Sequence, residues 1–252
     1  MNQEIEKAPQ VAALVVGAGQ GIGLGFVRQL LEGDRATPLY ATYRNPDSEL
    51  LQIADSRLHC LALDTTDETQ IAAVVQKIQV ETSALHCVIN CVGVLHDGTM
   101  QPEKSLRQLN ADQLLYYFQV NSIGAVLLAK HIQPLLKHRD RALFATISAK
   151  VGSIGDNQLG GWYGYRASKA ALNMFMRNVA IEYKRTCPRA IVVTLHPGTT
   201  DTELSRPFQR NVPPEKLFSV ERTVQQLLTV IDSLQETDSG EFFSWNGDRL
   251  PW

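Results

Sequence analysis

Short apolar runs without polar alternation recur along this chain, each followed by a segment of helical periodicity, and no other feature constrains the fold as much. The runs read as strands over 11–19 (VAALVVGAG), 37–44, 57–64, 85–93, 141–148, 190–198 and 240–245. A strand apolar at successive residues must be buried on both faces. Between strands, Ile71, Val74, Val75 and Ile78 fall at helical spacing, as do Val220, Val224, Leu227, Leu228, Ile231 and Leu234 behind the N-cap residue Ser219. One long helical region is expected over 112–137, with Pro134 at a kink or a first-turn position.

Such strands alternating with helices imply a parallel sheet covered on both sides. Right-handed crossovers then make it a doubly wound, Rossmann-type α/β domain with seven parallel strands. The 252 residues, 44% hydrophobic, suffice for one domain over 1–252 with a polar N-terminal arm at 1–9, and no repeat or linker divides them. A net charge of −2 argues against nucleic acid or an anionic membrane as partner. The opening MNQEIEKAPQ lacks the basic-then-apolar order of a secretory signal, and no apolar run reaches bilayer-spanning length, so a cytoplasmic location is expected. Cys60, Cys87, Cys91 and Cys187 form no CxxC pair and read as inert hydrophobes. The six histidines show no ligand spacing, so no metal site is expected.

Ligands of doubly wound sheets bind beyond the carboxyl ends of the strands, where the remaining motifs fall. GAGQGIG after the first strand fails the GxGxxG pattern, because Ile22 stands where a third glycine would follow Gly17 and Gly19; GxxxGxG fits at Gly17, Gly21 and Gly23. Glycines there permit a tight turn and close approach of N–H groups to a pyrophosphate. The second strand ends in Arg44 with no acid before Asp47. A guanidinium suits a 2′-phosphate, so NADP(H) is expected over NAD(H). Asp64 ends the third strand and either accepts from an adenine amino group or caps the next helix. NCVG ends the fourth, with Asn90 and Gly93 approaching the adenosine side through the backbone. In GGWYGYRASKAALN, Tyr165 and Lys169 are four apart and share one helical face, whereas Tyr163 sits at or before the helix start.

Taken in order, these residues resemble the short-chain dehydrogenase/reductase family from about residue 10 to the C-terminus. The likeness rests on GAGQGIG for TGxxxGxG (with Val16 for the usual Thr), NCVG for NNAG, Asn121 in VNSIG, YRASK for YxxxK, and PGTTDT for the PGxxxT loop. Within it, GSIGDNQLGGWYGYRASKAALN is similar to the C-factor and sniffer-like carbonyl reductase branch. The resemblance implies catalytic roles for Tyr165, Lys169 and Asn121. It implies cofactor contacts from the glycine turn including Gln20 and Ile22, and from Arg44, Asp64 and Thr65. Further contacts are implied from Asn90, Cys91, Val92 and Gly93, from Tyr165 and Lys169, and from Pro197, Gly198, Thr199 and Thr202. The family serine falls on Ala149 in a gapless match; Ser148 is the first candidate to replace it and Ser153 another, the alternative being that neither hydroxyl reaches substrate and catalysis is weak or absent. Relatives pair through the helices carrying Asn121 and Lys169, which implies a homodimer or homotetramer.

The expected reaction is reduction of a small-molecule carbonyl to an alcohol by NADPH, with Tyr165 as general acid. A free phenol titrates near about 10, and lowering it by roughly 3 units takes about 4 kcal/mol. A cation about 4 Å away at an effective dielectric near 20 supplies on the order of 4 kcal/mol. Lys169 is therefore expected to tune Tyr165, Asn121 to steady a water, and a serine hydroxyl to orient the carbonyl. Trp162, Tyr163 and residues 199–213 are expected to line and cover the substrate site. The alternative is a dinucleotide-binding signalling protein of C-factor type with weak or no turnover, which Ala149 favours.

Overall fold

Continuous apolar strands need cover on both sides, and the computed structural model, which describes residues 11–33 and 35–252, provides it. The expected arm at 1–9 lies outside the described residues. The chain runs β1 (Ala13–Val16), α1 (Gly21–Glu32), β2 (Leu39–Tyr43), β3 (Leu58–Ala62), α2 (Glu68–Glu81), β4 (Cys87–Asn90) and α3 (Ala111–Phe118). A π turn (Gln119–Ile123), α4 (Gly124–Leu136), β5 (Ala142–Ile147), α5 (Tyr163–Thr186) and β6 (Ala190–His196) follow. The C-terminal part holds β7 (Thr199–Thr200), β8 (Leu217–Phe218), α6 (Val220–Ser233) and β9 (Phe242–Ser244).

Seven strands pair in parallel in the order β3-β2-β1-β4-β5-β6-β9. The order reverses direction between β1 and β4, which creates the crevice where such folds bind ligands. Alternate residues of β1 feed two cores: Leu14 and Val16 pack with α2, α4 and α5, while Ala13 and Val15 pack with α1 and α6. The Rossmann-type seven-stranded sheet expected from the sequence is the one observed. Asp67 caps α2 by accepting from the amides of Thr69 and Gln70, and Ser219 caps α6 by accepting from Arg222.

Several boundaries differ from the sequence reading. The strands are shorter than their apolar runs because the backbone leaves the sheet at the binding edge; after β1, Gly17 turns at φ +77°. The long helical region is two helices separated by the π turn, and Asn121 lies within that turn. Pro134 stands in the last turn of α4 rather than a first turn. The two-residue strands β7 and β8 form a second, small sheet that periodicity cannot reveal. Burial raises all four thiols, Cys87 to about 12. Among the described residues no helix is long and apolar enough to cross a membrane.

Close contact between α1 and the turn before it depends on Gly23, where a Cβ would overlap the carbonyl group of Gly17. That neighbour is backbone and cannot swing aside. Gly23→Ala is expected to lower the unfolding free energy by about 2 kcal/mol or more, outweighing alanine's better helix propensity. Urea denaturation checks this, and an unchanged midpoint would contradict the packing.

Candidate active site

The glycine turn is held by its neighbours on both sides. The Gly17 amide donates to Thr42 Oγ1 at 3.0 Å, and Ser48 Oγ donates to the Gly19 carbonyl at 2.7 Å. Gly17 and Gly21 have φ of +77° and +53°, conformations that L side chains rarely adopt. Gln20, the N-cap of α1, makes no side-chain cap, which leaves first-turn amides for another acceptor. A Cβ on Gly17 would meet Val92 at 2.9 Å, and one on Gly21 would meet Thr202 at 3.3 Å. The turn after β1, NCVG after β4 and the loop after β6 therefore converge at one edge of the sheet. Such a cradle of close backbone, ending at an uncapped helix N-terminus, fits a dinucleotide pyrophosphate.

Around it, Asn90 Oδ1 accepts from the Val92 amide at 3.2 Å, and the Cys91 amide donates to the Val16 carbonyl. Thr65 is buried, with its carbonyl against Gly124 at the start of α4. Asp64 Oδ1 accepts from the amide and hydroxyl of Thr66, so it closes a local turn, and the cap of α2 falls to Asp67 instead. Arg44 is exposed just after β2 and makes no ion pair among the described residues. In the loop after β6, Gly198 turns at φ +74° against Phe218 and Trp245, and Thr199 opens β7.

On α5, Tyr165 and Lys169 are both buried, at 7% and 3% exposure, while Tyr163 is exposed. Lys169 Nζ donates to the Ile147 carbonyl at 3.0 Å and lies 5.9 Å from the centre of the Tyr165 ring. Asn121 Oδ1 accepts from the Val94 amide at 2.7 Å, and Nδ2 donates to the Val94 carbonyl and Ser168 Oγ, each at 3.0 Å. Ser168 in turn donates to the Tyr165 carbonyl at 2.9 Å. The π turn, the exit of β4 and the first turns of α5 are thus tied through one amide. A Cβ on Gly93 would meet Lys169 Nζ at 3.3 Å and Asn121 Oδ1 at 3.6 Å, so only glycine leaves this meeting point open.

Electrostatics differ from the sequence expectation. Burial raises the Tyr165 phenol above its ordinary value and lowers the Lys169 ammonium to about 8. In the protein alone, desolvation outweighs the attraction that a phenolate would feel from the ammonium. One helical turn places the two side chains on a common face, but the ammonium is drawn to a strand carbonyl rather than held at the phenol.

Ser148 is 2% exposed and its hydroxyl donates to Asn173 Oδ1 at 2.7 Å. Ala149 instead joins the apolar cluster of Leu95, Met100, Tyr117 and Tyr165. Its amide still bonded to the Leu195 carbonyl, Ser148 follows strand parity, and the next residue faces the phenol. Ser153 is buried and its Oγ accepts from the Asp156 amide. The structure therefore turns the Ser148 hydroxyl to Asn173 and the Ser153 hydroxyl to the Asp156 amide, while Ala149 packs against the cluster that holds Tyr165.

Glu103, which the sequence reading missed, frames the other side with Trp162 and the 199–213 segment, which that reading expected there. Glu103, only 2% exposed, accepts from the Gly164 amide through Oε2 at 3.1 Å and from Gln113 Nε2 through Oε1 at 3.3 Å; its carbonyl accepts from the Trp162 amide. A carboxylate at the N-terminus of α5 serves where Trp162, at φ 50°, offers no cap. Trp162 stacks edge-on with Tyr165 and Phe208, at 6.1 Å and 4.9 Å between ring centres. Beyond them opens a cavity of about 730 Å³ bordered by Trp162, Phe208, Lys104 and Arg210. No local pattern marks Glu103, because its partner helix lies far along the chain.

The short chain dehydrogenase family matches residues 11–213. The fold is similar to that of the NADPH-bound carbonyl reductase from chicken fatty liver, with a TM-score of 0.85 and 29% identity over 96% of this chain and 100% of that one. It is equally similar to the carbonyl reductase Sniffer of D. melanogaster, with a TM-score of 0.85 and 27% identity at the same coverage. In sequence, C-signal of Myxococcus xanthus is 33% identical over 136 residues, or 54% of this chain and 76% of that protein. A family match spanning most of the chain, joined to this likeness of fold, establishes that the protein is an oxidoreductase belonging to the short-chain dehydrogenase/reductase family.

Proposed function

We propose that the protein is an NADP(H)-dependent carbonyl reductase with Tyr165 as its general acid. The observation that carries this reading is that buried Lys169 Nζ lies 5.9 Å from the Tyr165 ring and, with the Asn121 amide, borders the open spot at Gly93. When bound, the dinucleotide supplies the hydride that reduces the carbonyl carbon. Tyr165 donates its phenolic proton to the carbonyl oxygen as negative charge develops there. A phenol raised by burial is still a stronger acid than an aliphatic alcohol, so its proton passes to the developing alkoxide, which is nearly as basic as hydroxide. Lys169, charged at neutral pH, stabilises the phenolate left behind and offers a donor to a ribose. Asn121 acts by holding the β4 exit and the first turns of α5 in register. Ser148 orients Asn173 on α5, and with a methyl at Ala149 the carbonyl is oriented by Tyr165 and by the apolar walls.

Those walls support a substrate with an apolar or aromatic body, since Trp162, Phe208, Tyr117 and Leu95 surround the phenol. Arg44 supports NADP(H) over NAD(H), because its uncommitted guanidinium follows the strand beside the glycine turn. The exposed Met174 and Ile181 on one side of α5 support self-association through that helix. A second reading, a dinucleotide-binding signalling protein with weak turnover, draws on Ala149 and on the likeness to C-signal.

Three outcomes follow from the reductase reading. Tyr165→Phe is expected to slow NADPH oxidation across a carbonyl panel by about 10²–10⁴-fold while NADPH affinity stays the same; full turnover in this variant would end the assignment, and tight binding without turnover in the parent would favour the signalling role. Arg44→Ala is expected to weaken NADPH by roughly tenfold or more, the worth of a charged hydrogen bond, and to leave NADH almost unchanged. An unaltered ratio of the two affinities counts against the 2′-phosphate contact. Because burial lowers Lys169 to about 8, its ammonium is present below that pH and lost above it. Reductive kcat/KM should therefore be level toward pH 7 and fall as pH rises through about 8, a break that Lys169→Arg, charged throughout, should remove. A profile flat to pH 10 would contradict the role given to the ammonium.

A further inference from the structure

The histidines look scattered in sequence, yet the fold gathers two of them with an aspartate at the amino edge of the sheet, opposite the candidate active site. His86 stands just before β4, its amide donating to the Ala12 carbonyl and its carbonyl accepting from the Leu143 amide. His138 and Asp140 follow the end of α4. The two imidazoles lie 4.9 Å apart between centres, tilted by 51°. His86 Nε2 is 3.8 Å from Asp140 Oδ2, and one donor atom from each of the three residues lies within 4.8 Å of the others. Among the described residues it is the one cluster of this kind.

His138 Nε2 is 2.9 Å from the Leu85 carbonyl. A carbonyl only accepts, so Nε2 carries the hydrogen and Nδ1 carries the lone pair. That Nδ1 is buried and has no partner, as is Nδ1 of His86. An imidazole whose far nitrogen donates to a backbone carbonyl is the arrangement that orients histidine for a metal. We propose that His86, His138 and Asp140 bind a divalent transition-metal ion of the zinc class. Two imidazoles and a carboxylate suit zinc and its first-row neighbours rather than calcium or magnesium, which prefer oxygen throughout. Ligand bonds of about 2.0–2.1 Å bring tetrahedral donors to about 3.4 Å from one another. Asp140, 77% exposed, closes the remaining gap by side-chain rotation while the two imidazoles stay on their backbone anchors. The fourth position faces solvent and takes water. Bound metal would clamp the exit of α4 to the entry of β4.

The test uses the untagged full-length chain, stripped with chelator and titrated with Zn²⁺ by calorimetry, with Co²⁺ absorbance as a second probe. One equivalent is expected to bind, to raise the thermal midpoint, and to give tetrahedral Co²⁺ bands. His138→Ala should weaken binding at least about tenfold. Asp140→Asn, at an exposed position that leaves packing intact, should do the same and abolish the Co²⁺ bands. Absence of saturable binding in the parent, or binding unchanged in both variants, would overturn the site.

Discussion

A buried ammonium sets the terms for the carboxyl edge of the sheet in this molecule. Lys169 is carried by a helix, satisfied by the last carbonyl of β5, and open toward the one spot where Gly93 lacks a side chain. Taking an ammonium out of water is costly unless donors and charges around it compensate. Every element nearby answers that cost or exploits it: the strand end offers a carbonyl, the glycine leaves room, and the phenol presents a group whose ionised form the cation would favour. A lysine whose proton is held less tightly than in water can respond to chemistry one residue-length away, which an exposed lysine cannot.

Around it, a single amide ties three elements together beside the apolar cluster that holds Tyr165. Asn121 bridges Val94 and Ser168, and the π turn gives it the position from which both are reachable. A regular helix through 119–123 would advance the side chain around the axis and break the bridge. The turn therefore converts a local irregularity into registration between the exit of β4 and the start of α5.

The sequence made the architecture legible because the relevant signals are periodic: two-sided apolar strands, one-sided helices, and glycines at strand ends. The shared face of Tyr165 and Lys169 was legible for the same reason, since four residues on a helix are one turn. What escaped was set by contacts between distant segments. Ser148 against Ala149 is a question of which side a strand end turns to, answered by the Leu195 carbonyl and Asn173. Asp64 and Asp67 are both plausible caps by composition, and only the chain path shows Asp67 in place. Glu103 sits in a loop that reads as polar surface, yet it is buried because the first turn of α5 needs an acceptor. The proton affinities of Tyr165 and Lys169 depend on burial, which spacing does not express.

Glu103 also joins two parts of the structure. The loop between β4 and α3 borders the cavity beside Trp162 and Phe208, so variation in the loop would alter the shape of that cavity. Through the carboxylate and carbonyl of Glu103 it also anchors the beginning of the helix that carries Tyr165. Diversification of this loop is consequently constrained: changes on its outer residues are free to reshape the cavity, but a shift in the spacing around Glu103 would move the start of α5 together with the cavity wall. Cavity shape and the seating of Tyr165 share a hinge point, and neither can drift far without the other.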